Sequence, residues 1–185
     1  MPKVSKAQVE QSRRSILDAA ARLFRLRGFA DVSVGEIMRE AGLTHGAFYG
    51  YFTSKDELIA ASLNHALEKD AGRPERSLDS FAASYLSPRH RDNREGGCPF
   101  PSLGGEAARS SAETRRVLTR FMKAQIDRLS ETAPGSSDQE RRQAAIVAWS
   151  AMVGAVMLSR ISDDPAFSGD LLSETRSSLE TPQGA

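Results

Sequence analysis

A dense set of hydrogen-bonding side chains lies between residues 44 and 55 of this chain. The set consists of Thr44, His45, Gly46, Tyr49, Tyr51 and Lys55. Its hydroxyl and ammonium groups can donate hydrogen bonds to phosphate oxygens, which is how proteins fix their position on a duplex. Its threonine and histidine can reach base edges in a major groove, and its glycine lets a backbone approach closely. The chemistry that these residues share is recognition of double-stranded DNA.

The residues around this set predict two short helices joined by a tight turn. Ser33 and Glu36 have the spacing of a capping box, so a helix is expected over residues 34–41. Gly42 supplies the turn, and Thr44 is expected to cap a third helix of about two turns. This order of elements is a helix-turn-helix, whose second helix would enter the major groove.

Four aromatic residues follow within residues 48–52. We predict that Phe48 and Phe52, four positions apart, face the core, while the two tyrosines face outward toward phosphates. The alternative is that all four rings belong to an ordinary core, but so short a helix cannot bury them all. Ser54 and Glu57 predict another capping box, which opens a longer helix and places Lys55 and free amides near phosphate.

Composition and charge limit the class of protein. The net charge is only +1, yet residues 1–30 contain seven Lys and Arg against two acidic residues. A basic end on a mildly acidic body is typical of a module that binds a polyanion, although a solvated helix face would give the same charge. One cysteine excludes an intramolecular disulfide framework. Residues 143–159 lack charge but fall short of a membrane span, so we expect a cytoplasmic protein.

Signatures of catalysis or metal binding are missing from the sequence. His45, His65 and His90 lie far apart, and no second cysteine or carboxylate cluster joins them. No phosphate-binding loop, nucleophile elbow or zinc-protease pattern is present. We therefore predict a protein that is not an enzyme and has neither a metal nor a cofactor.

Helical periodicity runs through the whole chain, without strand-like alternation or repeats. It predicts an all-α fold of about nine helices, with a helix-turn-helix domain over residues 1–55 and a helical body over residues 56–185. A polar loop is expected after a helix over residues 76–86. The later helices are predicted from Pro99 toward Arg109 and over residues 112–132, 139–160 and 171–179.

One pattern extends over roughly the first 65 residues. It consists of Arg14, residues 16–21, Phe24, Gly28, Phe29, Ser33, Val34, Ile37, residues 41–43, Gly46, Phe48, Tyr49, Tyr51, Phe52 and Lys55. The pattern resembles the TetR/AcrR family of transcriptional regulators. The resemblance implies a homodimer, with one DNA-binding head per subunit and a body that binds a small-molecule inducer. It also implies a palindromic operator and, most often in this family, repression.

Carried over by position, the resemblance makes Ser33, Thr44, Tyr49, Tyr51 and Lys55 DNA contacts. Gly50 departs from the pattern, because the family often has a larger polar residue there. A base or phosphate contact is then missing, which makes the operator sequence harder to infer.

The second half offers two sites for an inducer. Phe121, Trp149 and Met152 could line an apolar cavity, although each could equally be ordinary core. Cys98 follows two glycines and precedes Pro99, so it is expected near a helix N-terminus, where the dipole favours a thiolate. It could also be an inert thiol at the end of a loop.

The segment around Cys98 is similar to a subgroup of the same family that senses electrophiles. That subgroup includes the N-ethylmaleimide reductase repressor, and the shared residues are Gly97, Cys98, Leu103 and Glu106. The resemblance implies release from DNA on modification of Cys98. Two other classes of protein stay open: a small helical enzyme, and a helical ligand-binding or interaction module without DNA-binding activity.

Overall fold

The computed structural model describes residues 5–71 and 77–180, and these residues form helices joined by short loops. In chain order the elements are α1 (Lys6–Arg27), α2 (Val34–Glu40), a 3₁₀ helix (His45–Gly50), α3 (Lys55–Ala71), α4 (Leu78–Tyr85), α5 (Pro88–Asp92), α6 (Phe100–Ala107), α7 (Ala112–Ser130), α8 (Asp138–Ile161) and α9 (Pro165–Leu179). The described part of the chain contains no strand. The prediction of an all-α fold of about nine helices is confirmed.

These residues form two compact units. Among the described residues, the first unit contains residues 5–71 and 102–119, and the second contains residues 77–101 and 120–180. The boundaries between the units fall within α6 and α7.

The core of the first unit forms where α1 packs against α2 and α3. On α1 the buried side chains recur with helical spacing, and Ile16, Ala20 and Phe24 are almost completely inaccessible to solvent. Burying a side chain as large as Phe24 stabilises the fold by about 1.5–3 kcal/mol. Gly28 ends the helix with a φ of 86°, and its N–H donates to the carbonyl of Phe24 at 2.7 Å. A left-handed conformation of this kind favours glycine.

In the second unit α8 packs against α9 and also meets α4 and α5. By length and composition alone, α8 is apolar enough to cross a membrane. The core helix of a globular fold passes the same test, and α8 contributes the buried Trp149, Met152 and Val156 to this unit. Part of its apolar character therefore serves packing within the unit.

Two helical starts in this unit differ from the sequence prediction. The predicted polar loop contains α5, where Ser87 accepts a hydrogen bond from the N–H of His90 at 3.2 Å and Pro88 occupies the first turn. The last helix begins at Pro165 instead of residue 171, because Asp164 caps it by accepting from two first-turn amides. Both starts combine a capping side chain with a proline, which is favoured at the first helical position.

Candidate nucleic-acid interface

The capping box at the start of α2 is formed as predicted. The hydroxyl of Ser33 accepts from the N–H of Glu36 at 3.2 Å, while Oε2 of Glu36 accepts from the N–H and the hydroxyl of Ser33 at 2.8 Å each. Arg27 donates to the other carboxylate oxygen at 2.9 Å. The bond from the Ser33 amide, followed by those from Arg27 and the Ser33 hydroxyl, lowers the pKa of Glu36 to about 2. At neutral pH Glu36 is therefore ionised, and its carboxylate accepts the hydrogen bonds that hold the start of α2.

Gly42 makes the turn after α2. Its φ is 73°, its N–H donates to the carbonyl of Arg39 at 3.0 Å, and Leu43 donates to the carbonyl of Met38 at 2.8 Å. This pair of bonds is a Schellman motif, which needs a left-handed residue at the glycine position. The motif fixes the direction in which the chain leaves α2.

The recognition segment, residues 44–52, differs from its predicted form. His45–Gly50 is a 3₁₀ helix, and the side chain of Thr44 makes no capping hydrogen bond. The predicted helix of about two turns is present directly after Thr44, as a 3₁₀ helix, but the predicted capping hydrogen bond to the Thr44 side chain is not formed. Gly46 and Gly50 both disfavour an α-helix, which is consistent with 3₁₀ hydrogen bonding in this segment. Thr44 is exposed at the start of the segment.

Two phenylalanines anchor the recognition segment. Phe48 and Phe52 are 2% and 1% exposed and stack on each other with centroids 5.9 Å apart. Tyr49 lies edge-on to Phe48 with its ring centroid 5.2 Å away, yet its side chain is 73% exposed. The prediction that the phenylalanines face the core is therefore confirmed, and the tyrosine hydroxyl is presented to solvent.

The other residues predicted to contact DNA lie in the same unit. Ser33, His45 and Gly46 are exposed, whereas Tyr51 is half-buried. The His45 ring lies beside α2, with its Cδ2 3.5 Å from where a side chain on Gly35 would begin. Residues 33–55 therefore present hydroxyl groups, an imidazole and open backbone on α2, the recognition segment and the start of α3.

Lys55 is the first residue of α3, and its Nζ donates to the carbonyl of Ala30 at 3.5 Å. The capping box predicted here is only partly formed. Ser54 accepts from the N–H of Glu57 at 3.1 Å, but the Glu57 carboxylate accepts from the N–H and hydroxyl of Thr53, one residue earlier. The side-chain and then the backbone hydrogen bond from Thr53 lower the pKa of Glu57. Glu57 therefore remains a carboxylate at the helix N-terminus.

Sequence reasoning assigned no contact to Glu106, which lies near the end of α6. Its Oε2 accepts from the backbone N–H of Phe29 at 2.7 Å and from that of Ala30 at 3.2 Å. The partners are 77 and 76 residues away in the chain. No local pattern reveals a contact between residues so far apart in sequence.

Cys98 is half-buried and lies two residues before α6 begins. Its backbone N–H donates to Nε2 of His90 at 3.3 Å, and Nδ1 of His90 lies 2.7 Å from the carbonyl of Tyr85. A carbonyl only accepts, so the imidazole is neutral with its proton on Nδ1. Arg160 donates to the carbonyls of Arg91 and His90 at 2.8 and 3.2 Å. A guanidinium group thus lies close to the cysteine.

Burial lowers the pKa of Arg160, and the neighbouring Arg94 lowers it further. Tyr85, Cys98 and Asp92 act in the opposite direction. The Arg160 guanidinium is thus partly desolvated and lies beside the segment that carries Cys98, with Nη2 3.6 Å from where a side chain on Gly97 would begin.

The predicted ligand residues lie in the core of the second unit. Phe121, Trp149 and Met152 are 9%, 6% and 0% exposed. Phe100 joins two of them, since its ring stacks on Phe121 at 5.8 Å and meets Trp149 edge-on at 5.0 Å. The rings form one aromatic cluster. Within residues 5–71 and 77–180, no group of three or more His, Cys, Asp or Glu side chains could hold a metal ion.

Known proteins share this head sequence. The family model described as "Bacterial regulatory proteins, tetR family" matches residues 16–62. The chain is 34% identical over 96 residues to the HTH-type transcriptional regulator SrpR of Pseudomonas putida, a match that covers 49% of this chain and 45% of SrpR. It is 33% identical over 96 residues to the uncharacterized HTH-type transcriptional regulator TtgW of the same species, covering 49% of this chain and 72% of TtgW.

The matched segment therefore spans less than half the length of SrpR. Solved structures match over more of the chain. The reduced form of NemR from E. coli aligns with a TM-score of 0.75 at 21% identity, covering 94% of this chain and 99% of that one. At this identity the likeness concerns the fold alone.

Proposed function

Because this chain belongs to the TetR/AcrR family of transcriptional regulators, we propose that it is a homodimeric repressor that binds a palindromic operator. The observation that carries the proposal is the recognition segment, where two buried phenylalanines hold an exposed tyrosine beside exposed Thr44 and His45. A fixed backbone with exposed hydrogen-bonding groups is what direct reading of base edges requires.

The residues of the interface have separate roles in this proposal. Thr44 and His45 contact base edges, while Gly46 lets the backbone approach the duplex. Ser33, Tyr49, Tyr51 and Lys55 contact phosphates and set the register. In a dimer of this kind the two heads read half-sites about 34–36 Å apart.

The two predicted domains also have separate roles in this proposal. Residues 1–55 bind DNA, and residues 56–185 bind the inducer and dimerise. We place the protein in the cytoplasm, where its DNA is, and assign it no catalytic activity. The alternative is a helical module without DNA-binding activity. Such a module gives no physical reason for an exposed tyrosine held on two buried phenylalanines.

An exposed apolar face of α8 supports dimerisation. Val147, Leu158 and Ile161 are 59%, 48% and 71% exposed, and the small, partly exposed Ala151 and Gly154 lie between them in sequence. These positions recur every three or four residues, so they share one face of the helix. On α9, Phe167 adds a ring that is 55% exposed.

Three other small residues of α8 are buried within the unit and are not available to this interface. Ala145, Ala148 and Ala155 are at most 5% exposed. We therefore place the contact between subunits on the exposed face of α8 and on α9, where another copy of the chain would cover the apolar side chains.

Release from DNA is proposed to follow either binding of a small apolar inducer or modification of Cys98. An inducer that contacts Phe121, Trp149 or Met152 must open the aromatic cluster, and the energy for this comes from its higher affinity for the opened state. For the second route, support comes from the half-buried free thiol of Cys98 and from the guanidinium group of Arg160, which lies beside the neighbouring Gly97. The Cys98 sulfur adds to one carbon of the C=C bond of an electrophile such as N-ethylmaleimide: the carbon–sulfur bond forms, the C=C π bond breaks, and the other carbon takes up a proton in place of the one lost by the thiol. The adduct inserts bulk beside α6.

The experiment that tests the function is selection of bound sequences from a random DNA pool, with and without N-ethylmaleimide. A palindrome that is lost on treatment, and retained under treatment by Cys98→Ser, is the expected result. A palindrome that withstands treatment would leave the repressor proposal intact and refute the role of Cys98. Enrichment of no palindrome would refute DNA binding and favour the helical interaction module.

A further inference from the structure

The turn between α1 and α2, residues 28–33, is held from two sides. From within the head, Arg27 donates to the carbonyl of Asp31 at 2.5 Å and to Glu36, the carboxylate of the α2 capping box. From outside that segment, Oε2 of Glu106 accepts from the amides of Phe29 and Ala30. Two consecutive amides of the turn therefore share one acceptor oxygen on α6.

Two proposed phosphate contacts depend on this turn. Ala30 gives its N–H to Glu106, and its carbonyl accepts from the ammonium group of Lys55. Ser33 lies three residues further on, at the end of the turn. The turn therefore carries the carbonyl that Lys55 contacts and leads directly to Ser33.

The shape of the turn also fits this carboxylate. Gly28 has a φ of 86°, and a side chain added there would overlap Oε1 of Glu106. Glycine at this position thus permits the left-handed conformation and leaves room for the carboxylate group.

We propose that Glu106 is a positioning residue for DNA binding, which holds the turn of residues 28–33 so that Lys55 and Ser33 meet the phosphates. The inference rests on the proposed function, because it needs an operator. It also gives α6 a defined role: this helix begins two residues after Cys98 and carries Glu106 near its other end.

The two amide bonds end on one oxygen atom, and this allows a sharp test. Glu106→Gln keeps a carbonyl oxygen that can accept both bonds but loses the charge. Glu106→Met has similar length and the same loss of charge, but it has no comparable acceptor. A difference between the two variants therefore measures the acceptor and not the charge. Glu113→Gln, on an exposed residue of α7 in the same unit, controls for net charge.

Operator affinity is measured by fluorescence anisotropy at several salt concentrations, with melting temperatures recorded alongside. We expect Glu106→Met to bind on the order of tenfold more weakly per head, because both amide hydrogen bonds that hold the turn are lost. Glu106→Gln and Glu113→Gln should bind like wild type. The operator affinity of Glu106→Met should also depend less steeply on salt concentration than that of wild type. The double variant Glu106→Met/Lys55→Met should show the same salt dependence as Glu106→Met alone.

A loss of stability alone would lower the melting temperature without changing the salt dependence. Equal binding by the Gln and Met variants, or effects of Glu106→Met and Lys55→Met that add independently, would overturn the inference. If Glu106→Met does not fold, Glu106→Asp retains the charge but shortens the reach by one methylene, and it should show the same weakening. Failure of wild type to bind any operator would instead refute the proposed function.

Discussion

Replacing Lys55 with methionine gives the clearest test of where phosphate binds. The substitution keeps the apolar stem of the side chain and removes only its charge. In the free protein Nζ lies 3.5 Å from the carbonyl of Ala30, which is the outer limit for a hydrogen bond. We therefore expect the free energy of unfolding to change by less than about 0.5 kcal/mol.

The effect on DNA binding follows from counterion release. Each phosphate that a protein cation neutralises contributes about 0.9 to the slope of log affinity against log salt concentration. With one Lys55 in each head of a dimer, Lys55→Met should make the slope shallower by about 1.8. Between 50 and 200 mM salt, the advantage of wild type over the variant should then shrink about twelvefold.

Lys69→Met is the matched control, because Lys69 lies on the same helix and is also exposed. It is 14 residues from Lys55, or roughly 21 Å along the helix axis, about twice the Debye length at 0.1 M salt. Its ammonium group pairs with Asp18. Anisotropy titrations with the operator should give the control the wild-type slope. Equal slopes for Lys55→Met and wild type would show that Lys55 does not contact phosphate.

Further predictions concern the other contacts, the capping box and the dimer. Tyr49→Phe should weaken binding to every DNA sequence by about tenfold per head, with an unchanged melting temperature because this side chain is 73% exposed. Thr44→Ala should instead lose about 1–3 kcal/mol of discrimination at one base pair, as measured on a panel of altered operators. Glu36 has a pKa of about 2 against an ordinary 4.5, so its stabilisation is complete above pH 4.5 and lost as the pH falls toward 2. Denaturation from pH 5 to pH 2 should accordingly show the stability advantage of wild type over Glu36→Gln disappearing, and a constant difference would refute the role of this carboxylate. Val147→Arg should convert the dimer to a folded monomer in sedimentation experiments, whereas a persistent dimer would place the interface elsewhere.

Local signals in the sequence predicted much of the head. Ser33 with Glu36, and Gly42 after them, specify a helix start and a helix end through interactions within a few residues. Phe48 and Phe52 were placed correctly in the core because their spacing is also local. Such features need no knowledge of the rest of the fold.

Other features were missed for physical reasons. The two glycines of the recognition segment lower its tendency to form an α-helix, and this outweighed the capping preference of Thr44. The start of α9 carried a local signal, Asp164 before Pro165, that a search for apolar periodicity overlooked. The contact of Glu106 with Phe29 joins residues 77 positions apart, and a single sequence holds no trace of it.

The way in which the recognition segment is anchored has an evolutionary consequence. Its support comes from Phe48 and Phe52, whose rings point away from the surface that would face a duplex. Side chains added at Gly46 or Gly50 would meet no other atom within 4 Å. The residues that read bases can therefore be exchanged while the two rings stay in place, so new operator preferences can arise with little loss of stability. A library varied at positions 44, 45, 46, 49 and 50 should consist largely of folded proteins that differ in the DNA they select.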